Sequence, residues 1–112
     1  MDMKHLFIIT VIIIFLFTPF LLSAQEKHSY KPKDGYVPDA VTAIKIAEAV
    51  LVPIYGEKVI SEEKPLKAVL RDGVWIVEGT LHCPEGQRCL GGVAIIEISK
   101  DDGKILRVSH GK

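Results

Sequence analysis

Cysteine and histidine side chains are the groups of this 112-residue chain whose types and spacing could do chemistry. Cys83 and Cys89 bracket a short polar loop, and His82 and His110 lie in the same half of the chain. A histidine acts as acid or base only beside a nucleophile or a polarised water. Ser109 is next to His110, but neighbours in a strand point to opposite faces. The sequence therefore predicts no catalytic residue.

The same residues make a poor metal or redox site. Zinc would need two ligands besides Cys83 and Cys89, and the spacing lacks the two-residue gap that lowers a thiol pKa. No nucleophile elbow, phosphate-binding loop or paired metal-ligand motif occurs in the sequence. We therefore expect neither a metal nor a cofactor.

The N-terminus predicts export. Lys4 precedes an uncharged apolar run, 6–22, and the chain turns polar directly after Ser23-Ala24. This order is typical of a secretory signal, so 1–24 is interpreted as a signal peptide cleaved after Ala24. A retained membrane anchor is the alternative, although the run is short for a spanning helix and contains Pro19. The expected location is periplasmic or secreted, with membrane contact only if the segment is retained.

In an exported chain, Cys83 and Cys89 most simply form a disulfide. A loop this short gains about 2 kcal/mol from closure in the chain-entropy picture. The bond would also hold Glu85, Gln87 and Arg88 in one conformation. Because preorganisation lowers the entropy cost of binding, these three residues are predicted to contact a partner.

The charge balance narrows the class of partner. The chain carries 14 basic and 14 acidic residues and is formally neutral. Nucleic acids and anionic membrane surfaces both require a basic excess. We therefore expect a protein partner and no nucleic acid.

Residues 25–38 are predicted to be a linker, and 39–112 a single domain. Prolines and a glycine interrupt the linker, which has few apolar side chains to bury. Tyr36 and Val37 are the residues that could pack on the edge of the domain.

Asp39 is predicted to cap the one clear helix, since its carboxylate can accept from free backbone N–H groups. Pro53 should kink or stop the helix near Val52, with one further turn that ends at Gly56. The segment 57–65 is predicted to be connective, with Val59-Ile60 as an anchor and with Glu57, Glu62, Glu63 and Lys64 on a solvated face. The apolar stripe of the helix follows a helical period: Ala43, Ala47, Val50 and Ile54, widened by Ile44, Ile46 and Leu51.

Four β-type runs follow, predicted as strands over 66–71, 74–82, 92–99 and 104–109. Asp72-Gly73 is a favoured two-residue hairpin turn, and 100–103 turns again. The sequence predicts an α+β domain with one N-terminal helix packed on a four-stranded antiparallel meander. The helix should cover the face that carries Trp75, which is expected in the core.

Several stretches of the chain resemble the NTF2-fold immunity protein family of bacteria. They are YVPDAVTAIKIAEAVLVPIYGEKVI, GVWIVEGTL, GGVAIIEIS and GKILRVSHGK, which begin at Tyr36 and end at Lys112. The resemblance as a whole covers 35–112. The individual marks are the Pro53-Ile54-Tyr55-Gly56 helix end, Trp75 with Gly79, the Gly91-Gly92 pair, and the His110-Gly111-Lys112 terminus. The chain has one long helix where a full NTF2 cone has several. A reduced, cystatin-like version of the fold is therefore expected.

The resemblance implies a non-enzymatic protein that binds and neutralises a cognate toxin delivered between competing bacteria. His110 is predicted as a further partner-binding residue. A periplasmic module similar to PepSY-type domains, which would inhibit or assist an envelope peptidase, is the alternative. The protein could be a monomer or a homodimer, because a four-stranded sheet has edges that invite pairing.

Overall fold

The computed structural model describes residues 28–89 and 91–111, so the predicted signal peptide and its cleavage site lie outside the described residues. Neither helix in this part of the chain is long and apolar enough to cross a membrane. The elements follow in the order α1 (Ala40–Tyr55), α2 (Glu57–Glu62), β1 (Lys67–Arg71), β2 (Val74–Glu78), β3 (Ala94–Ser99) and β4 (Ile105–His110).

The four strands form one antiparallel sheet in the order β1-β2-β3-β4. With α1 packed across one face, this confirms the predicted α+β meander. β2 and β3 are shorter than predicted: β2 ends at Glu78 and β3 begins at Ala94. A last bond joins the Gly79 N–H to the Ala94 carbonyl at 2.9 Å. Beyond it the chain leaves the sheet as a long connection that contains both cysteines.

Helix α1 begins and ends where the sequence predicts. Asp39 Oδ1 accepts from the backbone N–H and the hydroxyl of Thr42, at 2.8 and 2.6 Å, and these bonds lower the pKa of Asp39. Gly56 closes the helix with a φ of 95°. The helix does not stop near Val52, which is one of the two predicted effects of Pro53, because α1 runs through Pro53 to Tyr55. Ala49, whose carbonyl loses its usual donor to Pro53, is exposed, so water can replace that bond.

The buried stripe of α1 is narrower than predicted. Ala43, Ala47 and Leu51 are fully buried, whereas the side chain of Ile54 is 54% exposed. The sequence offers apolar residues on both sides of the stripe, and contact with the sheet selects the i, i+4, i+8 row. The two alanines let α1 approach the sheet closely.

The structure differs from the prediction over 57–65, because this segment contains α2 and is not only connective. Of the predicted anchor residues, Ile60 is fully buried against the core, whereas Val59 is 38% exposed. Glu63, predicted on a solvated face, follows α2 and is only 8% exposed. Ile60 and Glu63 are three residues apart and so lie on the same side of the helical turn.

The core lies between α1 and the face of the sheet that carries Trp75, as predicted. Trp75 pairs with Ile98 across β2 and β3, and its indole N–H donates to the Val37 carbonyl at 2.8 Å. Val37 is itself fully buried, and its N–H donates to Lys100 O at 3.0 Å. The residues just before α1 therefore pack on the turn between β3 and β4. They fix the N-terminal end of the helix over the sheet.

Candidate functional site

A buried carboxylate is the most unusual group in the described part of the chain. Oε1 of Glu63 accepts from the Ala94 backbone N–H at 2.6 Å, and Oε2 lies 2.9 Å from Nε2 of His110. The Glu63 carbonyl accepts from the Thr80 N–H at 2.7 Å. A buried charge is tolerated when it is paired and hydrogen-bonded. Glu63 therefore ties the end of α2 to β3, to β4 and to the chain that leaves β2.

His110 completes this arrangement from the end of β4. Its Nδ1 lies 2.7 Å from the Gly111 carbonyl, and its ring lies 5.1 Å from the ring of Tyr55 between centroids, at a tilt of 55°. Both ring nitrogens face acceptor oxygens, so the doubly protonated imidazolium satisfies both contacts. The hydrogen bond that Nε2–H donates to the Glu63 carboxylate, reinforced by the one that Nδ1–H donates to the Gly111 carbonyl, raises the pKa of His110. We call Tyr55, Glu63, Gly79, Ala94 and His110 the Glu63 cluster.

Two glycines make room for the Glu63 cluster because they have no side chains. A Cβ on Gly79 would lie 2.6 Å from Oε1 of Glu63. A Cβ on Gly92 would collide with the backbone of Gly111, which shares the strand end with His110. Gly92 therefore requires glycine because the backbone of Gly111 passes too close for any side chain, whereas a side chain at position 79 would displace the carboxylate of Glu63.

A groove of about 480 Å³ opens beside the cluster. The end of α2 forms one wall, and the chain after β2 forms the other. His110 and Gly92 close its inner end. The lining residues are Val59, Glu62, Glu63, Thr80, Leu81, His82, Gly92 and His110. The groove is open to solvent and mixes apolar and polar side chains, as protein-binding surfaces do.

The cysteine loop rises from the same end of the sheet. Cys83 and Cys89 are joined by a disulfide with their Cα atoms 5.7 Å apart, so the predicted bond is present. The predicted contact residues Glu85, Gln87 and Arg88 are all exposed on the loop that it closes. Their solvation leaves them available to a partner.

Two side chains hold the first arm of this loop. The Thr80 hydroxyl donates to the Pro65 carbonyl at 2.6 Å, and Nε2 of His82 lies 2.6 Å from the Lys64 carbonyl. His82 therefore has a structural contact that the sequence does not indicate. The arm is fixed to the segment that precedes β1, while the loop beyond His82 depends on the disulfide.

The structure brings some of the sequence-predicted residues together and separates others. His82 and His110 line one groove, whereas Ser109 pairs with Ile95 on the opposite face of the sheet. The serine and histidine are thus kept apart, as predicted for neighbours in a strand. Among the described residues, no group of three or more histidine, cysteine, aspartate or glutamate side chains could hold a metal ion.

Sequence reasoning missed Glu63. Its charge and its neighbours, Glu62 and Lys64, are typical of a solvated surface. The available signal was its spacing of three residues from Ile60, together with glycines at 79 and 92 that have no turn to explain them. Only the fold shows that these features meet at one carboxylate.

Comparison with known proteins places this fold and site in a family. The model of the NTF2 fold immunity protein family matches residues 42–112. The chain belongs to that family. The match covers α1 from Thr42 onward, the Glu63 cluster, the cysteine loop and the whole sheet. Membership supports an immunity role in general.

Two relatives come from Escherichia coli (strain K12). The uncharacterized protein YhhH is 41% identical over 76 residues, which cover 68% of this chain and 58% of YhhH. The uncharacterized protein YbbC is 37% identical over 87 residues, which cover 78% of this chain and 66% of YbbC. The chain thus spans less than two thirds of each relative. No solved structure matches it.

Proposed function

We propose that this protein binds a cognate bacterial toxin outside the cytoplasm and neutralises it without catalysis. The carrying observation is the exposed, disulfide-closed loop that rises beside an open groove at one end of the sheet. Membership of an immunity family supplies the class of partner. The loop and the groove supply a surface of suitable shape and polarity.

The loop is suited to recognition because its conformation is restricted before binding. Glu85, Gln87 and Arg88 offer one acid, one amide and one base within a few residues. A free loop would lose conformational entropy on binding, about 1–2 kcal/mol for each residue whose backbone becomes fixed. The disulfide removes part of that cost in advance.

His110 is proposed to contact the partner from the floor of the groove. Its ring is held from three sides by Glu63, the Gly111 carbonyl and Tyr55. Its side chain is 26% exposed, so one edge remains available. A partner that inserts a side chain between α2 and the loop would meet this edge.

The proposed compartment follows from the disulfide. Such a bond persists in oxidising compartments and is rare in the cytosol. We propose that 1–24 directs export, that 25–38 is a connecting segment whose end packs on the domain, and that 39–112 is the toxin-binding domain. Fractionation and N-terminal sequencing of the exported protein test this. A mature protein that begins at Gln25 supports cleavage, and a full-length cytoplasmic protein contradicts the proposal.

Neutralisation is tested by co-expression with the toxin encoded beside this protein. We expect growth to be rescued by the wild type and lost with Glu85→Ala/Gln87→Ala/Arg88→Ala. The matched control is Lys33→Ala/Asp34→Ala, which removes one base and one acid from exposed positions at the other end of the sheet. Rescue by the loop variant as strong as that by the control would contradict the role of the loop.

Stoichiometry separates binding from catalysis. A non-catalytic inhibitor protects only up to an equimolar amount of toxin, whereas an enzyme protects against an excess. Titration of purified toxin with this protein should therefore end at equivalence. Inactivation of a large molar excess of toxin would show turnover and overturn the binding mechanism.

A further inference from the structure

The sheet has two edge strands, and they differ in regularity. β4 is irregular where it pairs with β3, with a register shift between Glu97 and Ile98. Bulges of this kind protect an edge from further pairing. β1 pairs with β2 in continuous register over all five of its residues. Within the described residues, no strand pairs with its outer side.

The turn after β1 determines which backbone groups point outward. Asp72 and Gly73 have φ values of 50° and 75°, the geometry of a type I′ turn closed by the Arg71–Val74 pair. Arg71 and Val74 exchange both of their backbone hydrogen bonds. Every second residue of β1 before Arg71, which means Val69 and Lys67, bonds to β2 in the same way. The N–H and C=O groups of Ala68 and Leu70 therefore face away from β2, toward the outer edge.

A groove of about 530 Å³ lies beside the start of this edge, on the side of the helix. Ile44, Pro65 and Leu66 line it together with Glu48 and Lys64, whose charges pair with each other at 2.7 Å. Leu70 continues the apolar surface along β1 and is 45% exposed. An added strand would place alternate side chains here, against α1.

The other face of the edge is basic. Lys67, Val69 and Arg71 point to the uncovered face of the sheet, where they pair with Glu78, Ile76 and Val74 of β2. All three β1 residues are exposed. Toward an added strand these are the non-hydrogen-bonded positions, at which side chains of facing strands come closest.

These charges decide between two possible occupants. If β1 of a second copy paired antiparallel about Val69, Lys67 would face Arg71 of the other chain at both ends of the pair. Like charges directly opposite destabilise such a pair. A segment with acidic residues at those two positions would instead form two cross-strand ion pairs.

We propose that the outer edge of β1 is a docking site for an extended acidic segment of a partner protein, which adds to the sheet as a fifth strand. Backbone bonds to Ala68 and Leu70 supply affinity, and Lys67 and Arg71 select the sequence, as in β-strand addition generally. The proposal does not require the partner to be a toxin, and the surface is separate from the cysteine loop.

One substitution tests it with the protein itself as the probe. Lys67→Glu turns both repulsive pairs of the twofold arrangement into Glu–Arg pairs, so this variant should dimerise. Sedimentation equilibrium should show a self-association constant raised about tenfold or more over the wild type. Lys58→Glu, the same change at an exposed site on α2, should have no such effect.

Two further variants make the outcome decisive. Lys67→Glu/Leu70→Pro should be monomeric, because proline at position 70 lacks the N–H that faces the outer edge. The backbone bonds between β1 and β2 remain. Lys67→Glu/Arg71→Glu should also be monomeric, because its like charges again face each other. A folded Lys67→Glu protein no more associated than the wild type would overturn the proposal. The proposal would also be overturned if the wild type were a dimer that Leu70→Pro abolished, since a second copy of the chain would then occupy the outer edge of β1.

A peptide measurement gives an independent readout on the wild type. A short blocked peptide that alternates valine and glutamate should bind about tenfold more tightly than one that alternates valine and lysine. It should slow amide exchange at Ala68 and Leu70. The preference should reverse in Lys67→Glu/Arg71→Glu. Equal binding of both peptides, or protection on β4 instead, would contradict the proposal.

Discussion

The Glu63 cluster and the cysteine loop lie at the same end of the sheet but are held by different means. The cluster is half-buried to buried and noncovalent: one carboxylate bonds to Ala94 and His110, in space left by Gly79. The loop is exposed and has a covalent bond between Cys83 and Cys89. A segment that buries little apolar surface cannot be ordered by packing. Burial and noncovalent bonds therefore order the Glu63 cluster beside the groove, whereas the disulfide orders the exposed cysteine loop.

Removal of the Glu63 carboxylate should have the largest effect. Glu63→Ala leaves the Ala94 N–H and the His110 imidazolium without their acceptor and opens a cavity. We expect a loss of about 3 kcal/mol in the free energy of unfolding, measured by urea denaturation. Glu62→Ala, a neighbouring exposed change, should cost less than about 0.5 kcal/mol. Equal losses for the two variants would show that the cluster has no special role.

The next largest effect is expected at Gly92. A methyl group there meets the Gly111 backbone, which cannot rotate away, so Gly92→Ala should destabilise the fold by about 2 kcal/mol. Gly79→Ala meets the side chain of Glu63, which can shift in part, and should cost less. Thermal unfolding of both variants gives the order. The reverse order would show that the carboxylate is more rigidly held than the end of β4.

Loss of the disulfide should affect the loop more than the fold. Cys83→Ser/Cys89→Ser should lower the free energy of unfolding by at most about 2 kcal/mol. Amide exchange should accelerate over 83–89 while the core strands keep their relative protection. The free energy of binding to the partner should weaken by more than the free energy of unfolding, because the entropy cost of ordering the loop moves to the binding step. A global rise in exchange would contradict this division.

The smallest effect expected is a pH dependence from His110. Its pKa is raised in the folded state by the hydrogen bonds that its ring donates to the Glu63 carboxylate and to the Gly111 carbonyl. His110 therefore stabilises the fold fully at pH values below its pKa in the unfolded state, about 6.5. This stabilisation is lost as the pH rises through the higher pKa of His110 in the folded state. Unfolding of the wild type should become easier as the pH rises above about 6.5, in a step absent from His110→Gln. The same step in both proteins would assign it to another group.

Local features were predictable because their causes are local. Asp39 caps α1 through its own side chain, and the Asp72-Gly73 turn follows from two residues that accept positive φ. Alternation places Ala94, Ile96 and Ile98 on one face of β3, and all three are fully buried in the structure. Helix α2 was missed because a six-residue charged helix has almost no intrinsic stability and forms against the core.

The sequence by itself determined the strand order, the helix and its caps, and the cysteine loop, because these depend on residue periods, turn chemistry and proximity along the chain. Only the tertiary structure decided that Glu63 is buried and that His110 binds it across 47 positions of sequence. The tertiary structure also decided that β1 forms the edge strand with continuous register and β4 the edge strand with a register shift. A charged side chain is buried only where distant backbone and side chains supply its partners, and no local pattern records which partners those are.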